Sequence, residues 1–479
     1  MTQAGSAADG TTRSGTDGRG GGSGRGGGNG AGGENGAGGG TESRTGGVQI
    51  WLLALGMFAI GTDLFVVSGL LPALGADLGL SASAAGQTVT AFALTYAVAA
   101  PVLAGLTARA DRRTLLIGVL VLFACGNALS ACAPDFGVLL LSRVVAGAAA
   151  ALFSATASSA AARLAAPERR GRALALVYAG MTCAIALGVP LGNAIGALSS
   201  WRFAFGFVAV LPLLTALGLA ACLPPLPGLT ASSSAASAAA SAPAAASAPA
   251  APAAPASFAA RVGAVRIRRA PTSLLTTALW IVGTFVVYTY LGTLLETIGR
   301  VDATDRTWLL LCFGLGSLTG ILGGGRLADR VRPDAALPVT TGLLALVLAG
   351  LGPALHSVTG AAVGLALWGA VHWASFPLIQ HRLLAIGGDH GDMLLALNNS
   401  AVYLGQTVAA AAGGLLMGAG LRTSLPLFGA GCELLAALVL TAAAIRTARS
   451  RTEGRTEVRT NIRTDVRTKT RTEEAGRKA

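Results

Sequence analysis

The sequence predicts an all-α membrane protein of twelve transmembrane helices in two six-helix bundles, and three observations predict it. Hydrophobic residues make up 53% of the 479 and charged ones only 12%, against about 25% charged in an ordinary soluble domain. Apolar runs of roughly 20 residues, the length that crosses a bilayer as one helix, recur along the chain. They form two sets of six, of nearly equal length, on either side of a long polar connector, which suggests an internal duplication.

The elements follow in order. Residues 1–47 hold 20 glycines and no large apolar side chain before Val48, so they are expected to form a disordered tail. The first bundle is expected over 48–223, with spans near 48–72, 84–106, 114–133, 136–163, 171–196 and 202–223. A linker over 224–272 begins as a low-complexity Ala/Pro/Ser stretch and ends in a basic patch of Arg261, Arg266, Arg268 and Arg269. The second bundle covers 273–447, with spans near 273–297, 307–328, 335–355, 359–384, 392–418 and 424–447. A tail over 448–479 repeats Arg-Thr-x-x. It reads either as a basic helix docking on anionic lipid or as a solvated, mostly disordered segment. Its acidic residues and repeated β-branched Thr favour the second.

Charge orients the chain. Placing both termini inside leaves Arg109, Arg112, Arg113, Arg163, Arg169, Arg170, Arg172, the basic patch, Arg326, Arg330, Arg332 and Arg382 on inner loops. Only Arg202, Arg300, Arg306 and Arg422 then lie outside, a clear positive-inside bias. The net charge of +13 therefore belongs to topology and is no sign of nucleic-acid binding. The six cysteines are scattered through apolar segments with no metal-ligand spacing, which makes them small core residues. No basic segment followed by an apolar one opens the chain, so no signal peptide is expected.

Asp63 is the one ionisable residue in the first apolar run. A carboxylate in hydrocarbon costs several kcal/mol, so it must face protein or water. Burial favours its neutral form, which suits a proton carrier; the plainer alternative is an acid packed against neighbouring Thr or Ser. Gly61 and Gly69 suggest close helix contact, and Pro72 should end or bend the span.

The later motifs bear on mechanism. Gly324-Gly325-Arg326-Leu327-Ala328-Asp329-Arg330 closes the eighth span, where Asp329 can pair with a basic group or a helix N-terminus in one conformation only. The first-half counterpart, Gly105 to Arg113, differs from it: Arg109 stands at the acidic position, followed by Asp111, Arg112 and Arg113. Arg143 with Gly147 one turn on places a buried cation in the fourth span, either supporting proton transfer or acting as a structural anchor. In the fifth, Gly188, Gly192 and Gly196 make one smooth face while Pro190 removes a backbone hydrogen bond.

These segments resemble the major facilitator superfamily. The Asp329 loop matches its G-x-L-A-D-R signature, Arg143-x-x-x-Gly147 its R-x-x-x-G pattern, and Gly188-Val189-Pro190-Leu191-Gly192 its antiporter signature. Gly61-Thr62-Asp63 through Pro72, Thr289-Tyr290-Leu291 with Glu296, and Asn398 through Gly405 are similar to one drug:proton antiporter subgroup. That subgroup includes bacterial permeases named for arabinose efflux, chloramphenicol resistance and purine nucleoside efflux. The resemblance spans residues 48–447 and implies two bundles rocking around a midplane site, driven by inward proton flow.

Asp63 and Glu296 are the expected proton-coupling residues, Glu296 being a second proton site or a gate. Asn127, Tyr288, Tyr290, Trp373, Asn398, Asn399 and Gln406 are the expected lining of a substrate cavity, each with interhelical bonding as its alternative. The conformational set is Arg109, Arg112, Arg113, Arg143, Gly188, Pro190, Gly192, Gly325, Asp329 and Arg330. His372 either titrates or is a satisfied core histidine, and Glu433 stands alone in the twelfth span without an evident partner. The expected function is proton-coupled export of a small amphipathic compound by a monomer in the cytoplasmic membrane, with substrate, protons and lipid as partners. No cofactor, metal or nucleic acid is expected, and no enzyme, because neither a nucleotide-binding loop nor a catalytic triad is visible. A sugar or nucleoside importer or uniporter, and a non-transporting receptor, are the alternatives.

Overall fold

The computed structural model describes residues 39–107, 109–166, 169–226, 269–388 and 391–446. The expectations for residues 1–38, most of the linker and the C-terminal tail lie outside them. Most of the described residues are helical, with no strand among them. They are α1 Gly39–Leu78, α2 Ala82–Leu106, α3 Arg112–Ala131, α4 Phe136–Leu164, α5 Arg170–Leu198 and α6 Trp201–Cys222. After the linker come α7 Ala270–Tyr288, the short α8 Leu291–Thr297, α9 Ala303–Arg330, α10 Pro333–Ala354, α11 Val358–Gly387, α12 Gly391–Gly418 and α13 Arg422–Arg446. Among the described residues, 11 helices are long and apolar enough to cross a membrane. The expected second span is present as α2, 25 residues long, but is not one of those 11.

Helix starts are written locally. Ser81, Asp111, Asp135, Ser200, Asp302 and Ser357 each precede a helix and accept a first-turn backbone N–H with the side chain, satisfying donors that the helix leaves open. Loops alternate between two ends of the molecule, the linker face and a far face.

Three boundaries differ from expectation. Helix α1 begins at Gly39 rather than Val48, ahead of the apolar run. It also runs through Pro72 to Leu78. The N–H that Pro72 lacks would have met the Ser68 carbonyl, and that carbonyl instead lies against Gly292 of α8, where a Cβ would stand 2.5 Å from it. The expected span 273–297 is broken at Thr289–Tyr290 into α7 and α8; Tyr290 leaves the helical register and its hydroxyl donates to the Ala410 carbonyl of α12 at 2.8 Å.

In the first half, α3 packs on α4 and α6, and α2 on α4; in the second, α11 packs on α9 and α10, and α7 on α12. The halves meet along α2 with α12 and α5 with α9. The α9–α11 contact is the tightest in kind. Gly316, Gly320 and Gly324 lie four apart on one face of α9, and a Cβ on them would come within 2.1, 2.2 and 2.3 Å of the carbonyls of Ala366, Ala370 and Ala374. Only small residues allow helices to approach this closely in a membrane. Gly320→Leu is expected to cut the yield of monodisperse protein several-fold on size exclusion, while Gly323→Leu, facing open space, leaves it unchanged.

Candidate functional site

Asp63 sits mid-helix in α1, fully buried, and its partner is Arg143 of α4. The guanidinium donates from Nη1 to Oδ1 at 2.9 Å and from Nη2 to Oδ2 at 2.8 Å, with exposures of 1% and 0% for Arg143 and Asp63. This two-pronged geometry is what arginine's planar fork provides. The Thr and Ser neighbours of Asp63 bond elsewhere: Thr62 to the Phe58 carbonyl and Ser68 to that of Phe65. Arg143 also lies between two rings, 4.9 Å from the centre of Phe92 and 5.3 Å from that of Phe205. Gly147 explains the spacing of the motif. A Cβ there would stand 2.7 Å from the Phe92 carbonyl, so the glycine draws α2 close enough for its ring to cap the cation.

Helix α5 contains a π-helical turn at Ala184–Gly188, one turn ahead of Pro190. A proline that withholds an N–H and a π turn are both recognised sources of helix bending. Glycines 188, 192 and 196 face α1, where a Cβ would meet Thr62 Oγ1 at 2.0 Å, Val66 Cγ2 at 2.6 Å and Leu70 Cδ2 at 2.6 Å. The other side of the turn meets the second half, since a Cβ on Gly314 of α9 would stand 2.6 Å from the Ile185 carbonyl. The π turn is thus held between the helix carrying Asp63 and the opposite half.

Toward the far face the halves are sealed. Tyr288 donates to the Phe65 carbonyl at 3.3 Å and Arg306 to the Gly69 carbonyl at 3.2 Å. Rings of Phe65, Tyr288, Phe285, Phe313 and Trp368 close the gap between them. Glu296 lies at this end, 51% exposed and 3.8 Å from Arg306. It contacts Arg306 and is not part of the buried pair.

Toward the linker face a cavity of about 210 Å³ lies between the halves. It is lined from α2 by Tyr96, from α4 by Ser154 and Ser158, from α5 by Tyr178, and from α12 by Asn399 and Tyr403. The rings of Tyr96 and Tyr403 stack across the halves with centres 3.5 Å apart, and Ser158 bonds the Tyr178 hydroxyl at 3.2 Å. No charged side chain is among its described lining residues. Phe92, which caps Arg143, lies 6.4 Å ring to ring from Tyr96, so the cavity and the buried pair are separated by two aromatic side chains.

Of the seven residues expected to line a cavity, Asn399 lines this one. Tyr288 and Tyr290 belong to the far-side seal, and Trp373 lies edge-on to Phe65 at 6.3 Å. Asn127 donates to its own helix at Phe123; Asn398 and Gln406 are buried on α12, each with a side-chain carbonyl oxygen lacking a partner among the described residues. Tyr96, Tyr178, Tyr403, Ser154 and Ser158 were the residues the sequence reading missed. The available signal was a polar tip on an aromatic or small residue in the linker-side half of several spans.

The loop motifs divide. Asp111 caps α3 through the N–H of Thr114 at 2.8 Å and accepts from the Leu226 N–H at 3.1 Å; the Thr114 bond first, then the others, holds its carboxyl below the usual range. Arg113 donates to the Ala220 carbonyl at 2.6 Å. Arg112 is buried and Arg109 exposed. Asp329 and Arg330 are exposed, and Asp329 forms no ion pair among the described residues. The expected contact of Asp329 is therefore not made in this conformation. The acid engaged nearby is Asp334, which accepts from Arg382 at 3.1 Å. Gly325 faces open space. Among the described residues no group of acids, His and Cys could hold a metal ion.

Comparison with known proteins agrees with this architecture. The profile of the Major Facilitator Superfamily matches residues 53–384. The MFS-type transporter YbcL of Bacillus subtilis (strain 168) is 30% identical over 371 residues, covering 77% of this chain and 88% of that one. A chloramphenicol resistance protein of Streptomyces lividans is 34% identical over 298 residues, covering 62% and 70%. In fold, the chain is similar to a bacterial homologue of the human lysosomal transporter Spinster, solved inward-facing and unoccupied, with TM-score 0.64 at 15% identity over 85% of this chain and 97% of that one. It is similar also to a D-xylose–proton symporter, with TM-score 0.63 at 18% identity over 82% and 96%. The chain belongs to the major facilitator superfamily.

Proposed function

We propose that this protein is a proton-coupled antiporter that exports a small, uncharged or weakly charged amphipathic compound across the cytoplasmic membrane. In this reading α2 completes twelve spans, the two bundles are 48–223 and 273–447, and the protein works as a monomer. The linker face and both termini are cytoplasmic, from the arginine distribution. The observation that carries the reading is the buried Asp63–Arg143 pair, separated by Phe92 and Tyr96 from a polar-lined cavity between the halves. Protonating Asp63 removes its charge and with it the ion pair that holds the fork, so proton binding there is coupled to how α1 sits against α4 and α5. The Tyr, Ser and Asn lining suits a flat ligand with a few hydrogen-bonding groups. A relative named for chloramphenicol resistance favours export over import.

Expression in a host stripped of its own efflux systems tests this. Steady-state accumulation of neutral aromatic antibiotics, nucleosides and sugars is measured with and without a protonophore. Lower accumulation of at least one amphipathic compound, restored by the protonophore, is expected. Raised, protonophore-insensitive accumulation of a sugar or nucleoside would instead establish an importer or uniporter.

A further inference from the structure

The second half carries a buried acid that the export mechanism above does not use. Glu433 of α13 and His372 of α11 have exposures of 0% and 1%, and Thr284 of α7 stands between them. The Thr284 hydroxyl lies 2.8 Å from His372 Nδ1 and 3.5 Å from Glu433 Oε1. The indole of Trp280, one turn along α7, stacks on the His372 ring at 4.1 Å and 10°. Glu433 Oε2 has no hydrogen-bond partner among the described residues. Gly283 lets α7 approach α13 here, since a Cβ on it would stand 2.9 Å from Glu433 Oε1. A fully buried carboxyl group with one long hydroxyl contact is short of the partners that burial demands.

A line of polar side chains runs along α7 from the cluster toward the linker end. Ser273, Thr277, Trp280 and Thr284 fall on one side of α7, at helical spacing. The first three, with Thr276, Thr341 of α10 and Arg382 of α11, line a crevice enclosing about 10 Å³, close to the least space one water needs. Ser273 Oγ and Trp280 Nε1 are buried there without partners among the described residues, which is what a water site requires of its walls. The other titratable groups near the cluster are Cys432 beside Glu433 on α13, Tyr288 one turn beyond Thr284, and the Arg382–Asp334 pair at the linker end. From α12, the surface facing α7 here presents Gly405, packed on Ile281.

We propose that Glu433, Thr284 and His372 form a second protonation site, distinct from Asp63 and reached by water from the linker face along the hydroxyls of α7. The Thr284 hydroxyl, which donates to Glu433 Oε1 in the structure, turns when Glu433 is protonated to accept from Oε1 and to donate to His372 Nδ1. A concerted shift breaks the Glu433 O–H bond, moves the Thr284 hydroxyl proton to Nδ1 and leaves the glutamate proton on Thr284, so the net charge of the cluster is unchanged. Release of one proton from the imidazolium of His372 to water in the crevice then leaves Glu433 ionised, Thr284 and His372 neutral, and the site one charge more negative. The claim concerns proton binding and stands independently of the direction of transport.

Infrared difference spectra of purified full-length protein in lipid, recorded on pH change, test it. A carbonyl band of a protonated carboxylic acid is expected that vanishes in Glu433→Gln, persists in Asp63→Asn, and shifts in both Thr284→Val and His372→Gln. Transfer to heavy water should shift the same band, with a rate that Thr277→Val slows several-fold. If Glu433→Gln does not fold, the shifts in Thr284→Val and His372→Gln decide alone. A spectrum in which no such band depends on Glu433, Thr284 or His372, or in which the band vanishes in Asp63→Asn, overturns the proposal. An exchange rate unchanged by Thr277→Val overturns the route.

Discussion

Arg143→Ala is expected to lose most of its folded protein, and the reason is what it leaves behind. Asp63 would remain at the centre of the first half with no other ionic partner among the described residues. Breaking a buried pair by removing one member costs about 3–5 kcal/mol, a large part of the 5–15 kcal/mol that typically separates folded from unfolded states. The rings of Phe92 and Phe205 would also lose the cation they flank. The double variant Asp63→Asn/Arg143→Gln, which removes both charges and keeps hydrogen-bonding groups, should recover most of the loss. Arg202→Ala breaks a half-exposed pair with Asp77, and such pairs contribute about 0–1 kcal/mol. Thermal unfolding of detergent-purified variants should therefore rank wild type and Arg202→Ala together, the double variant close behind, and Arg143→Ala far below. An Arg143→Ala protein as stable as wild type would show that Asp63 is satisfied without the pair.

The second large effect is on coupling. Asp63→Asn keeps an acceptor for the Arg143 fork but cannot exchange a proton, so uphill efflux should fall to background while downhill exchange survives in part. Glu296→Gln should weaken coupling far less. Glu296 is half exposed at the far face beside Arg306, where it can latch the sealed end but is too solvated to carry a proton across the barrier. The expected separation is complete loss of gradient formation in one variant against a modest loss in the other, both assayed in vesicles.

Much of the membrane architecture is legible because its cause is local: apolar length, capping side chains and arginines between the runs. Asp63 and Arg143 are legible one at a time, as ionisable residues where none is expected. Their pairing is not, because it joins positions 80 residues apart through a packing of α1, α2 and α4 that no local pattern encodes. The glycine stripe of α9 at 316, 320 and 324 has a readable spacing, but its partner helix does not. Tyr288 and Tyr290 read as cavity residues from chemistry alone. The break at Thr289–Tyr290 turns them into the far-side seal, and a break within an apolar run leaves little trace in composition. Glu433 reads as solitary because Thr284 and His372 come from helices distant in sequence.

The central claim, that a proton entering through Asp63 drives substrate out, is tested most directly in proteoliposomes that contain only this protein, substrate and an imposed pH gradient. One charge moving through 100 mV gains about 2.3 kcal/mol, and about 1.4 kcal/mol suffices for each tenfold of substrate gradient. Wild type is predicted to concentrate substrate against its gradient and to acidify the compartment it leaves; Asp63→Asn should do neither. Uphill transport that persists undiminished in Asp63→Asn and still collapses with a protonophore would contradict the account.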